Sequence, residues 1–248
     1  VSSYREIAAP VGLEAFVACV WTSHDGEVRV LPDACVDIVF SAGRLVVAGP
    51  ATEATVAPAT PGQPRHGLRF RIGAAGPALG LPAAELRDEG VALSEVWGRD
   101  ARAIEDRVAA ASSPEAALAA LTRGVAQRLP PVDAADREVR QACLTLATER
   151  QGSVAATARA VGLSERQLRR RFEAAVGYGP GTLTRVVRFQ RFLAEAAAAP
   201  ATPLARLAAD AGYADQAHLA RECRRLAGVP PSALLAAGAT PAGEPALA

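Results

Sequence analysis

One short pattern occurs twice, about fifty residues apart, and limits the folds open to this chain more than anything else in it. The first copy reads Ala160-Val161-Gly162-Leu163-Ser164-Glu165-Arg166-Gln167-Leu168, then Phe172 and Gly177. The second reads Ala211-Gly212-Tyr213-Ala214-Asp215-Gln216-Ala217-His218-Leu219, then Cys223 and Gly228. Each predicts a short helix, a glycine turn, a polar cap and a second helix carrying arginine, the order of a helix-turn-helix. Ser164 followed three residues later by Gln167 is a capping box. Leu168 and Phe172 lie one turn apart and must face a core, which turns Arg166, Arg169 and Arg170 outward. In the second copy Asp215 is the cap, Leu219 and Cys223 face inward, and Gln216, His218 and Arg221 face outward. The outward residues are candidates for contact with DNA. Arg171, Arg224 and Arg225 are expected on backbone phosphates.

Gly177 and Pro180 stop the first unit, and a long helix is predicted from Thr182 to about Ala198. Leu183, Val186, Val187, Gln190 and Leu193 form its expected inner stripe. Such a rod is about 24 Å long. It is suited to holding two recognition helices about one DNA turn apart, roughly 34 Å.

Charge supports this division. The formal net charge is only +1, but residues 1–130 hold 12 Arg against 15 Asp and Glu, and residues 150–230 hold 13 Arg against 6. The balance moves from −3 to +7. Phosphate affinity follows local positive charge. All 27 basic residues are arginine, which reads either as bidentate recognition chemistry or as the amino-acid bias of the genome. No apolar run approaches the ~18 residues that span a bilayer, and no basic stretch followed by an apolar one opens the chain. A cytoplasmic protein without a membrane segment is the expectation.

The first seventy residues read as strands. Phe16–Trp21, Glu27–Leu31, Val36–Phe40, Arg44–Ala48, Thr52–Val56 and Leu68–Ile72 are short runs separated by turn signals, which predicts a small barrel or sandwich. From about Leu79 the pattern turns helical. Ile104, Val108 and Ala111, then Leu118, Leu121, Val125 and Leu129, make apolar stripes that either close the barrel or form a dimer seam. Pro130-Pro131 marks the boundary, and Asp133 is the expected cap of the next helix. The expected fold is α+β in two domains. Residues 1–130 form a β-rich sensor or dimerisation domain with C-terminal helices, and residues 131–238 an all-α unit.

With these residues on the page, the chain resembles the AraC family of bacterial transcription regulators. The likeness covers about 133–235. Its most specific part is Gly212-Tyr213-Ala214-Asp215-Gln216-Ala217-His218-Leu219, then Arg221-Glu222, then Gly228-Val229-Pro230-Pro231-Ser232. Arg188 also falls where the family usually carries arginine. The resemblance implies seven helices, with the third and sixth in the major groove at Glu165–Val176 and Gln216–Ala227, and Arg166, Arg169, Arg170, Gln216, His218 and Arg221 as the base contacts. The family often has Phe where this chain has Leu219 and Cys223, so a less tightly packed second unit is expected. The N-terminal half is similar to a sensor domain found on some of these regulators. It is carried by Val30-Leu31-Pro32-Asp33-Ala34-Cys35-Val36-Asp37-Ile38-Val39-Phe40, Ala48-Gly49-Pro50, Gly67-Leu68-Arg69-Phe70 and Leu79-Gly80-Leu81-Pro82-Ala83. That likeness implies a cupin-like barrel binding a small effector or a second protomer.

The expected function is sequence-specific binding of double-stranded DNA, modulated through the N-terminal domain. Trp21, Phe40, Arg69 and Phe70 are the candidate effector pocket. Candidate partners besides DNA are RNA polymerase, a small-molecule effector, and a second copy of the chain through residues 100–129. No cofactor, metal or catalytic set is expected, because His24 and His66 are isolated and no His-x-His plus Glu cluster occurs. Two alternatives remain open. One is an architectural DNA-binding protein without an effector. The other is an enzyme or thiol sensor built on Asp33, Asp37, His66 and Cys35.

Overall fold

The computed structural model describes residues 4–24, 28–57, 64–131, 136–149 and 153–238. The described residues hold eight strands: β1 (Arg5–Ala8), β2 (Val17–Ser23), β3 (Val28–Val30), β4 (Asp37–Ser41), β5 (Arg44–Ala48), β6 (Thr55–Ala57), β7 (Arg65–Phe70) and β8 (Gly90–Ala92). Six of them pair antiparallel in the order β1-β2-β7-β4-β5-β8, and β3 pairs with β6 in a separate ribbon. The expected small barrel is therefore an open sheet with β1 and β8 at its ends, among the described residues. β1 and β8 are only four and three residues long and carry too little alternation to be read as strands from sequence.

Helices cover one face. They are α1 (Ala75–Leu79), a 3-10 turn (Ala83–Leu86), α2 (Leu93–Trp97), α3 (Arg99–Ala109) and α4 (Pro114–Ala126). Pro114 opens α4 after Ser113, whose hydroxyl accepts from Ala116 N–H. Ile104, Val108, Leu118, Leu121 and Val125 pack with Ile38, Val47, Leu68 and Phe70 in one core. The proposed dimer seam in residues 100–129 is corrected on this point. An apolar stripe can be buried only once, and here it closes the protein's own sheet, with Leu121 and Val125 both 0% exposed.

Seven helices follow among the described residues: α5 (Arg137–Thr148), α6 (Val154–Ala160), α7 (Glu165–Val176), α8 (Pro180–Ala198), α9 (Leu204–Asp210), α10 (Gln216–Ala227) and α11 (Pro231–Ala236). The expected cap Asp133 lies outside the described residues, and Asp136 caps α5 by accepting from Val139 N–H. The second core is built by these helices but is shared with the sheet. Ala34, Cys35 and Ile72 sit in it with Cys143, Phe172 and Tyr178. α1 and the 3-10 turn pack against α7. Three further bonds tie the parts together. Arg29 donates to Ala227 O at 2.9 Å, Gln190 donates to Pro32 O at 2.6 Å, and Arg87 donates to Gly177 O at 3.4 Å.

Candidate nucleic-acid interface

The two repeats fold alike because each local signal is met. In the first, Ser153 caps α6, Gly162 turns the chain at φ +72°, and Leu163 N–H returns to Ala158 O. Ser164 accepts from Gln167 N–H while Gln167 accepts from Ser164 N–H, closing the capping box. In the second, Gly212 turns at φ +86°, Tyr213 N–H returns to Ala208 O, and Asp215 accepts from His218 N–H at 2.6 Å. Gly177 and Gly228 then end α7 and α10 in the left-handed conformation that favours glycine. Both recognition helices are 12 residues long.

Leu168, Phe172, Ala175 and Val176 bury one face of α7, and Leu219, Cys223, Leu226 and Ala227 bury the same positions of α10. Leu219 and Cys223 are both 0% exposed, so the expected looser second unit is not observed. With those faces fixed, a helix of 3.6 residues per turn sends Arg166, Arg170 and Glu173 outward on α7, and Ala217, Arg221 and Arg224 outward on α10. Arg170 and Arg221 occupy matching places. Arg166, Arg169, Arg170, Gln216, Arg221 and Arg224 are all exposed. Among the described residues Arg166, Arg169, Arg170 and Arg221 have no ion-pair or hydrogen-bond partner, so their donors are available.

Three expected contacts behave differently. Arg171 is turned back: its guanidinium binds Asp136 at 2.5 and 2.9 Å and Glu138 at 2.9 Å. Hydrogen bonding to Asp136 holds its pKa above the ordinary arginine value. It braces α7 against the start of α5 instead of offering charge to a phosphate. His218 is half-buried, with its ring edge-on to Tyr213 at 5.3 Å and Nδ1 accepting a long bond from Ala214 N–H. Arg225 is exposed, but it lines a cleft facing Thr52 and Arg87 of the sheet half.

The connecting helix α8 begins two residues before the expected Thr182, with Pro180 in its first turn, where a missing N–H costs little. Its buried stripe is Leu183, Val186, Phe189, Phe192, Leu193 and Ala196. Phe189 and Phe192 were not expected there, and Gln190 is drawn aside to Pro32. The helix is packed on several sides, so a single 3.6-period stripe does not describe it. Arg188 lies over the Tyr213 ring at 5.6 Å, joining α8 to the second turn.

The expected effector pocket does not form. Arg69 and Phe70 are neighbours on one strand and must face opposite sides of the sheet. Phe70 is 0% exposed in the helix-covered core, with Phe40 packed against that core. Trp21 and Arg69 lie on the other face, joined by Asp37, which accepts from Trp21 Nε1 at 3.1 Å and from Arg69 at 3.1 and 3.2 Å. Glu6 and Asp33 complete the ring around Arg69 at 3.3 and 3.4 Å. Desolvation pulls the Arg69 pKa down, but Asp37 and Asp33 more than offset it and keep the guanidinium charged. Burial raises Asp37 against the pull of Arg69. The network fills this face. Asp33 and Asp37 are thereby held as its partners, and Cys35 Sγ contacts Asp33 O. Burial pushes the Cys35 thiol well up and Cys19 to about 12.

Two family models match the chain. That of a helix-turn-helix domain covers residues 157–237, from α6 through α11. A domain of unknown function (DUF6597) covers residues 5–92, from β1 through β8. Together the two matches support an AraC family regulator. Its helical half is a DNA-binding unit of a transcription regulator, and the AraC-type match spans both of the turns described above. No curated protein and no solved structure matches the chain. No described helix is long and apolar enough to cross a membrane.

Proposed function

We propose that this AraC-family protein reads DNA sequence with α7 and α10 in successive major grooves. One observation carries the reading: matching helices, each fixed by a cap and a glycine stop, present unpartnered arginines on the face opposite their core. Arg166, Arg169 and Arg170 on the first helix, and Gln216 and Arg221 on the second, are the base readers. His218 sits beside them, oriented by Tyr213. Arg224 contacts the phosphate backbone. α8, at 19 residues and about 28 Å, is the spacer. The sheet half, taken as residues 1–130, modulates the unit of residues 131–238 through the contacts it makes with α7, α8 and α10.

The test is a footprint and a competition assay on the protein's own promoter region. Sequence reading predicts two protected patches about one helical turn apart on one face of the duplex. Affinity for that site should exceed affinity for random DNA by at least ~10³ at physiological salt. A ratio near one would favour an architectural protein, whose binding rests on phosphates alone.

A further inference from the structure

Where the sheet half meets the helices lies a cleft of about 380 Å³. Small-ligand sites range from ~300 to 1,000 Å³. Its walls come from distant parts of the chain: Thr52 after β5, Arg87 after the 3-10 turn, Tyr178 after α7, Arg185 on α8, and Arg225 and Leu226 on α10. Three arginines line it against one acidic residue, Glu53. The neighbouring Asp88 is already taken, accepting from Thr52 N–H at 2.6 Å and Thr52 Oγ1 at 2.8 Å. Among the described residues Arg185 and Arg225 have no ion-pair partner, and Arg87 makes only its long bond to Gly177 O. Cations gathered this way repel one another until an oxyanion joins them. Tyr178 is 2% exposed, and its hydroxyl has no hydrogen-bond partner among the described residues. Leu226 and the Tyr178 ring add an apolar wall.

We infer that this cleft binds a small organic anion, whose carboxylate or phosphate group is held by Arg185 and Arg225. The site touches the end of the first unit, the connecting helix and the second recognition helix, and it closes against the sheet half. An occupant therefore fixes both DNA-reading units relative to that half, which makes the anion an effector. Only this last consequence rests on the DNA-reading proposal; the binding itself does not.

Thermal unfolding of the full chain tests the site directly, with inorganic phosphate in one arm and succinate in the other, each against chloride at constant ionic strength. The expected result is a saturable rise in Tm, roughly 3–6 °C at ten times Kd; the arm that produces it tells phosphate from carboxylate. In R185Q/R225Q the rise should vanish while the ligand-free Tm holds, since neither side chain has a partner to lose. If that double variant folds poorly, Arg225→Gln alone should raise Kd at least fivefold. No saturable rise with either anion overturns the site, and so does a rise that survives in the double variant. Loss of random-DNA affinity in R185Q/R225Q, without any anion effect on the parent, would assign these arginines to DNA phosphates and equally overturn it. If sequence-specific DNA binding fails but the Tm response stands, the site holds and the groove-reading proposal falls.

Discussion

Arg170 and Arg171 are neighbours in sequence and should fail in opposite ways. Arg170 is exposed, points away from the α7 core and has no partner among the described residues. Its replacement by alanine should leave folding within about 0.5 kcal/mol of the parent. If it reads a guanine edge with two hydrogen bonds, about 1–3 kcal/mol of discrimination disappears, a loss of roughly 5- to 150-fold in operator affinity. Binding to random DNA should hardly move, and the salt slope should stay nearly constant. Arg171 is held by Asp136 and Glu138, with a side chain that is 32% exposed. Solvent screens such a pair, so Arg171→Ala should cost about 1 kcal/mol and lower Tm by roughly 2–4 °C. Asp136 keeps its capping bond to Val139, which limits the damage. Operator affinity below the transition should fall by less than a factor of about three. Gel shifts on operator and random DNA, with calorimetry on the same preparations, separate these outcomes. Intact operator affinity in Arg170→Ala together with lost specificity in Arg171→Ala would refute the assignment of the outward face.

Three further outcomes follow from buried positions. A Cβ added at Gly67 would lie 2.1 Å from the Trp21 ring, so Gly67→Ala should displace the indole from Asp37, cost about 1–3 kcal/mol and shift tryptophan emission; an unchanged spectrum and Tm would contradict the close approach. His66 is 4% exposed, and desolvation, helped by His24 and opposed by Glu115, holds its pKa below 6.5. The unfolded chain then binds the extra proton first, so the His66 contribution is complete above pH 6.5 and is lost as pH falls below it. Urea midpoints at pH 5.5 and 7.5 should accordingly differ less in His66→Gln than in the parent. All four cysteines are buried, and burial pushes Cys223, like Cys19, up to about 12. Iodoacetamide at neutral pH should leave the native protein unlabelled and label it in urea; rapid native labelling of Cys35 would revive the thiol-sensor alternative.

The docking of the two halves would give the proposed modulation a physical route. Arg87 and Arg29 each place a guanidinium on a carbonyl at the C-terminal end of a recognition helix, Gly177 O and Ala227 O. Cations are favoured at that end by the helix dipole. Both donors come from the sheet half, so a shift of the sheet would reach the C-terminal ends of both helices.

Most of the helical half was legible in the chain. Caps, glycine stops and inward pairs are local signals that marked both helices, and the resemblance to the AraC family placed their bounds, Glu165–Val176 and Gln216–Ala227, to the residue. The outward direction of Arg166 and Arg170 follows from the same arithmetic, because burying Leu168 and Phe172 leaves a helix no other choice. In the sheet half, Arg44–Ala48 was legible as a strand for similar reasons, since its turn and alternation lie within a few residues. What escaped depends on partners far away in sequence. Arg171 looks like its neighbours until Asp136 is brought beside it. The four candidate pocket residues were split between two faces by register. The stripe in residues 100–129 could have met a second chain or its own sheet with identical periodicity. The cleft of Arg87, Arg185 and Arg225 has no sequence signature, because its arginines stand on three elements that only packing assembles. Sequence settled α7 and α10 and which of their faces are wet, since those rest on contacts within a few turns. Tertiary structure alone decided which charges are paired and which are left available, because that depends on which elements pack together.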